Sequence, residues 1–168
     1  MLNRRQALLS ASAALLAGGA GLGWLMARGS HAAAAGAGFE ISKSDAEWRK
    51  QLGAKRYAVL RDEATERPFT SALLHEKRSG LFHCAGCDLA VYSSAAKYDS
   101  GTGWPSFFQA LPNAVGTKED NSLFATRTEV HCRRCGGHFG HIFNDGPAPT
   151  GTRHCINGLA LTFKPGAA

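Results

Sequence analysis

Five cysteines carry most of the chemistry this sequence offers, and four of them fall into two pairs of identical spacing. Cys84-Ala85-Gly86-Cys87 and Cys132-Arg133-Arg134-Cys135 are Cys-x-x-Cys knuckles separated by 44 residues. Zinc takes thiolates at tetrahedral corners, and the tight turn of each knuckle can aim two sulfurs at one point. Two knuckles therefore complete a closed shell around one Zn2+, the structural rather than the catalytic kind. The spacer exceeds that of a compact zinc ribbon, so the metal would staple two hairpins distant in sequence. Binding of that sort contributes on the order of 10 kcal/mol to folding. Three other groupings compete. Exported chains often pair their cysteines as disulfides. A thioredoxin-like redox motif needs one such pair in a βαβ setting, which the sequence does not suggest. Cys132, Cys135, His138 and His141 recur at three-residue steps, but leave two residues where a zinc finger has a loop of about 12.

Subtracting four ligands leaves Cys155, within Gly151-Thr152-Arg153-His154-Cys155-Ile156-Asn157. If this segment is a strand leading into Leu159–Phe163, alternation places Arg153, Cys155 and Asn157 on one face. A guanidinium beside a thiol favours the nucleophilic thiolate, and the Asn amide can donate or accept a hydrogen bond there. An inert buried thiol remains the plain alternative for any lone cysteine. Gly136-Gly137-His138-Phe139-Gly140-His141-Ile142-Phe143 supplies two imidazoles suited to proton transfer near neutral pH, or to supporting the adjacent knuckle. Ser100-Gly101-Thr102-Gly103-Trp104-Pro105-Ser106-Phe107-Phe108 sets aromatics on a rigid turn. Such rings can bind a methyl-sulfur group through contacts of about 0.3–1.5 kcal/mol, or simply fill a core.

The elements that must position these groups divide at Gly80. Ser44 and Glu47 stand at capping-box spacing and open a helix whose buried face would carry Trp48, Leu52 and Tyr57. A second helical stretch over Tyr57–Arg61 should end at Pro68. From Gly80 onward, short apolar runs (Leu81-Phe82, Leu89–Tyr92, Leu123–Thr126, Leu159–Phe163) alternate with Gly-, Pro- and Asn-bearing turns. That texture predicts a mainly β domain of antiparallel strands behind short N-terminal helices.

Charge and the N-terminus bound the function class. The net charge is +6, of which +3 comes from Arg4, Arg5 and Arg28 in residues 1–38, a stretch without acids. The remaining 130 residues carry +3 with both signs mixed, so no phosphate-binding stripe exists and nucleic acid is not an expected partner. Arg4-Arg5 precedes 21 uncharged residues, Ala7 to Ala27, and then a small-residue stretch around Ala32–Ala35. This pattern reads as a twin-arginine export signal and linker over 1–38, with the folded domain over 39–168 outside the cytoplasm, in the periplasm. Membrane association is expected only if that segment stays uncleaved as an anchor.

Taken together the motifs resemble the type B methionine sulfoxide reductases. The matching stretches are Glu66-Arg67-Pro68-Phe69, Phe82-His83-Cys84-Ala85-Gly86-Cys87, Tyr98 to Phe107, Gly137 to Phe143, and Arg153 to Asn157, in family order from about Ile41 to Lys164. The resemblance implies two antiparallel β-sheets, rolled and barrel-like, with N-terminal helices and a structural zinc. It implies reduction of methionine-R-sulfoxide, in oxidised proteins or free, with Cys155 as catalytic cysteine. Trp104, with Phe143, would hold the substrate methyl group, while His138, His141, Arg153 and Asn157 would handle the sulfoxide oxygen. The sulfenic acid left on Cys155 would be reduced by a thioredoxin-like or other thiol. Two positions depart from the family. Many members have a resolving cysteine where this chain has Thr102, so regeneration here needs an outside thiol. Gly158 stands where serine is usual, and a glycine there permits a bulge. A non-enzymatic zinc module docking through Trp104 and a general thiol oxidoreductase are the competing classes.

Overall fold

The computed structural model describes residues 38–123 and 125–167. The export segment expected over 1–38 lies outside the described residues except for Gly38. Among the described residues no helix is long and apolar enough to cross a membrane.

The helix α1 spans Asp45–Asp62, and its start follows the capping box expected from Ser44 and Glu47. The Ser44 hydroxyl accepts from the Glu47 N–H, and the Glu47 carboxylate accepts from the Ser44 N–H at 2.9 Å. Gly53, at φ 67 and ψ 169, breaks the helical path, so two short helical segments meet at a kink. Trp48, Leu52 and Tyr57 are buried as expected, joined by Val59 and Leu60. The helix ends at Asp62, with Glu63 as a left-handed cap whose N–H reaches the Ala58 carbonyl. Pro68 is therefore not the stop signal: the cap ends the helix before the chain reaches it.

Among the described residues nine strands follow: β1 (Gly80–Cys84), β2 (Ala90–Ser93), β3 (Lys97–Tyr98), β4 (Ser106–Phe107), β5 (Val115–Asp120), β6 (Arg127–Cys132), β7 (His138–Phe143), β8 (Arg153–Ile156) and β9 (Leu161–Pro165). They form a three-stranded sheet ordered β2-β1-β9 and a six-stranded sheet ordered β3-β4-β8-β7-β6-β5, with every pairing antiparallel. The mainly β class and its two sheets stand as expected. Two local expectations do not. Leu123 is 59% exposed in the β5–β6 connection, and pairing begins only at Arg127, where the chain first offers inward residues at Glu129 and Val130. β8 does not run into β9 either, because a 3-10 turn over Gly158–Ala160 carries the chain from the large sheet to the small one.

Rings from both sheets meet in the core. Phe107 of the large sheet stacks on Tyr92 at 4.3 Å and meets Phe82 edge-on at 5.0 Å. Phe139, Ile156, Leu161 and Trp48 complete that layer, all essentially inaccessible. Each such side chain stabilises the fold by about 1.5–3 kcal/mol, enough together to hold the large sheet's other face in a defined shape.

Candidate active site

Pairing across the large sheet aligns the reactive groups. Cys155 sits in β8 opposite Ser106 of β4 and His141 of β7, and His141 in turn faces Glu129 of β6. Its neighbours His154 and Ile156 point to the core, where the Tyr92 hydroxyl lies 3.2 Å from His154 Nδ1. His138 and His141 are three residues apart and would face opposite ways on a regular strand. A bulge reconciles them: β6 pairs Val130 with Gly140 but His131 with His138, leaving Phe139 as the extra residue. The two imidazoles consequently lie 5.5 Å apart, centre to centre. Gly140 is required there, since a Cβ would stand 2.0 Å from the Cys155 carbonyl oxygen.

A cleft of about 140 Å³ opens over Cys155. Of the residues singled out in the sequence, Cys155, His141, Trp104, Phe143 and Asn157 line it, joined by Thr65, Gly140 and Arg127. His138 and Arg153 do not line it. His138 is buried behind the wall with Nδ1 2.7 Å from Glu129 Oε1. Arg153 forms a two-pronged pair with Asp145, both bonds 2.9 Å, and its guanidinium lies 4.4 Å over the Phe143 ring. Asn157 faces the cleft but spends its amide on the backbone: Oδ1 accepts from the Glu66 N–H, and Nδ2 donates to the Phe139 carbonyl. The Trp104 indole N–H donates to the Glu66 carbonyl at 2.8 Å, so Glu66 fixes both Trp104 and Asn157.

Burial sets the state of the thiol. It pushes the Cys155 thiol above its ordinary value of 9.0, against the opposing pull of the Thr102 hydroxyl and Arg153. The guanidinium expected to favour the thiolate is already matched to Asp145, so its field at the sulfur is partly cancelled. A file of hydroxyls reaches the sulfur. Ser106 Oγ lies 2.8 Å from Ser100 Oγ, which lies 2.9 Å from Thr102 Oγ1, itself 3.9 Å from Cys155 Sγ.

Two carboxylates steady the imidazoles. Burial also lowers His141, against its 2.7 Å bond with Asp120, so the ring is neutral near pH 7. Asp120 is held well below the usual carboxylate range by the Ser122 hydrogen bonds, then by His141 and Arg127. Burial favours protonation of Glu129, but the hydrogen bonds of His131 and His138 win and hold its carboxyl at about 2. The buried Glu129 thus bridges two imidazoles.

Arg127, Glu129, Asp120 and Asp145 escaped the sequence reading. Glu129 left one signal, a carboxylate two residues before a histidine in an alternating segment. Asp120, Asp145 and Arg127 left none, because hairpin register and loop path alone bring them to the site.

The two knuckles, 44 residues apart, converge. Cys84 Sγ lies 3.7 Å from Cys135 Sγ, Cys87 Sγ lies 3.4 Å from Cys132 Sγ, and all four sulfurs fall within 4.8 Å of one another. A tetrahedral shell with metal–sulfur bonds of about 2.3 Å puts sulfurs about 3.8 Å apart, whereas a disulfide needs about 2.05 Å. The cysteines are unbridged and the donor set fits a metal. Each knuckle closes the same way. Asp88 N–H returns to the Cys84 carbonyl and Gly136 N–H to the Cys132 carbonyl, each residue in the left-handed region. The helix braces both through Gln51 to the Gly86 carbonyl and Arg61 to the Cys135 carbonyl.

Gly158 opens the 3-10 turn, and no bulge is needed to explain it. A Cβ there would stand 1.7 Å from Ser71 Oγ, so the Ser71 hydroxyl already fills that space.

Comparison with known proteins agrees with this geometry. The SelR domain family matches residues 52–165, well over half of the chain. Peptide methionine sulfoxide reductase MsrB of Methanosarcina barkeri is 50% identical over 125 residues, covering 74% of this chain and 88% of that protein. The Agrobacterium fabrum protein of the same name is 47% identical over 127 residues, 75% of this chain and 94% of its own. That of Bradyrhizobium diazoefficiens is 50% identical over 127 residues, 75% and 91% respectively. With the four-sulfur cluster and the cleft over Cys155 in place, the chain belongs to the SelR-domain, MsrB-type family.

Proposed function

We propose that this protein reduces methionine-R-sulfoxide, in oxidised proteins and as the free amino acid, back to methionine. The observation that carries the reading is the cleft itself. The one cysteine outside the four-sulfur cluster lies beneath Trp104 and Phe143, with His141 and Arg127 on the polar side. The rings accept the methyl group, and His141 and Arg127 face the oxygen. Held in fixed places around the sulfur, the rings and the polar groups select one epimer.

The Cys155 thiolate attacks the sulfoxide sulfur, and an imidazole, His141 at the wall or His138 behind it, relays a proton to the departing oxygen. The protonated oxygen shifts from the methionine sulfur to Cys155 Sγ as the bond between the two sulfurs breaks, so methionine leaves and Cys155 becomes a sulfenic acid, the first and reversible rung of thiol oxidation. Arg153 steadies Phe143, and Asn157 braces the β7–β8 wall. An external thiol, thioredoxin-like or otherwise, then returns Cys155 to the reduced state. Zinc is the metal that four thiolates select, and Cys84, Cys87, Cys132 and Cys135 hold one ion as a structural staple. Protein repair outside the cytoplasm fits the paired arginines and apolar run at the N-terminus, which direct export by the twin-arginine route to the periplasm.

Reduction of the two sulfoxide epimers, assayed separately, tests the activity: the R epimer turns over, the S epimer does not, and Cys155→Ser abolishes the reaction. Equal turnover of both epimers would sink the reading. Elemental analysis should find about one zinc per chain, and N-terminal sequencing of the exported protein should start near Ala32.

A further inference from the structure

The segment that holds Trp104 contains a conformation that packing within the fold does not account for. Thr65 lines the cleft, and the Glu66 carbonyl takes the Trp104 indole N–H at 2.8 Å. Next in the chain, Pro68 and Phe69 form the corner of a turn, which the Thr70 hydroxyl closes onto the Arg67 carbonyl at 2.7 Å. Phe69 takes φ 64, where the residue after a corner proline is ordinarily glycine or asparagine. That is a costly conformation for a bulky side chain. The Phe69 N–H donates to the Gly103 carbonyl at 2.7 Å, and a Cβ on Gly103 would stand 3.0 Å from the Phe69 ring. Gly103 directly precedes Trp104, so the ring is fixed beside the aromatic wall of the cleft. There it is 68% exposed, more than Leu123 or Phe39, the other exposed large hydrophobics among the described residues. Burial inside the fold does not repay the strained turn.

We propose that Phe69 is the contact for an apolar side chain flanking methionine sulfoxide in an extended polypeptide, and so sets which oxidised sites are taken. The proposal rests on the sulfoxide reading above and adds where the rest of a protein substrate lies. The cleft holds about 140 Å³, close to the cavity of about 150 Å³ that takes one benzene. That is room for one side chain, so the substrate backbone and the neighbouring residues run over the rim. In an extended chain the residues two places either side of the methionine point the same way, about 7 Å from it. Such a side chain, if apolar, covers the Phe69 ring and takes both surfaces out of water. A tenfold preference equals about 1.4 kcal/mol, which burial of about 55 Å² of apolar surface supplies. An exposed phenylalanine has that area to give.

Two acetylated peptides test it on the full-length protein. Each carries one methionine-R-sulfoxide, flanked on both sides by two leucines or by two serines, with lysines at both ends for solubility. Wild-type kcat/KM for the leucine peptide should exceed that for the serine peptide at least about tenfold, mainly through KM. Phe69→Gly and Phe69→Asn, both suited to a positive φ, should erase the preference, and Phe69→Tyr should keep it. A cooperative thermal melt reports that each variant is folded. A prop for Trp104 alone would slow both peptides alike and leave their ratio as it was. Equal kcat/KM for the two peptides in the wild type, or a preference that survives both the glycine and the asparagine substitution, would overturn the contact. A wild type that reduces neither peptide would instead refute the sulfoxide reading.

Discussion

Glu129 offers the sharpest test of how the site is held. Its carboxylate, 2% exposed, takes hydrogen bonds from His138 at 2.7 Å and His131 at 2.9 Å. Glu129→Gln preserves shape but removes the charge. One amide oxygen can serve one imidazole, and the NH2 group must then face the other N–H. The loss of one charge-assisted bond and the weakening of the second should cost about 2–4 kcal/mol. The titration gives the same scale, since lowering the carboxyl from 4.5 to about 2 corresponds to about 3 kcal/mol of native-state stability. Because the folded value is depressed, that contribution is complete above the unfolded value of about 4.5 and is lost as pH falls toward 2. Urea unfolding of both proteins should therefore show a gap of about 3 kcal/mol that is constant from pH 8 to about 5 and narrows below 4.5. In thermal melts the same gap is roughly 10 °C. A Glu129→Gln protein within about 1 kcal/mol of wild type, or a gap independent of pH below 4.5, would refute the bridge.

Three further outcomes are expected. Gly158→Ala drives a Cβ into Ser71 Oγ and should destabilise by about 1–3 kcal/mol, with most of the loss recovered in the Ser71→Gly, Gly158→Ala double variant; additive costs in chemical denaturation would contradict the clash. Burial raises the Cys155 thiol, so its alkylation by iodoacetamide should climb about tenfold per pH step from 7 to 9. A plateau below pH 8 would mean that Arg153 prevails. Thr102→Cys places a thiol in contact with Cys155 Sγ, and one turnover should leave an internal disulfide where the wild type leaves a sulfenic acid, as mass spectrometry distinguishes; a persistent sulfenic acid would contradict the contact.

Each legible feature has a local cause. The capping box is written within four residues, Ser44 to Glu47, and formed as expected. The knuckles are short turns that converge on one point in any fold bringing them together. The stop of α1 and the start of β6 were not legible, because a left-handed Glu63 and a pairing partner for Arg127 outweigh a proline and an apolar run. The thiol's state also turned on contacts that no spacing reveals. Arg153 stands two residues from Cys155 in the chain, yet Asp145 holds its charge and burial decides the balance.

The sequence by itself determined which atoms can react: one thiol left over from two metal-binding knuckles, two imidazoles and a tryptophan on a rigid turn. Residue type and short spacing suffice for that, because chemistry and tight turns are local. The tertiary structure alone decided how those atoms are used. A single bulge at Phe139 turns His138 and His141 toward one another. Register places Cys155 beside His141, and packing opens a cleft over the sulfur between Trp104 and Arg127. Register and packing depend on partners distant in the chain, and those partners exist only once both sheets have closed on their core.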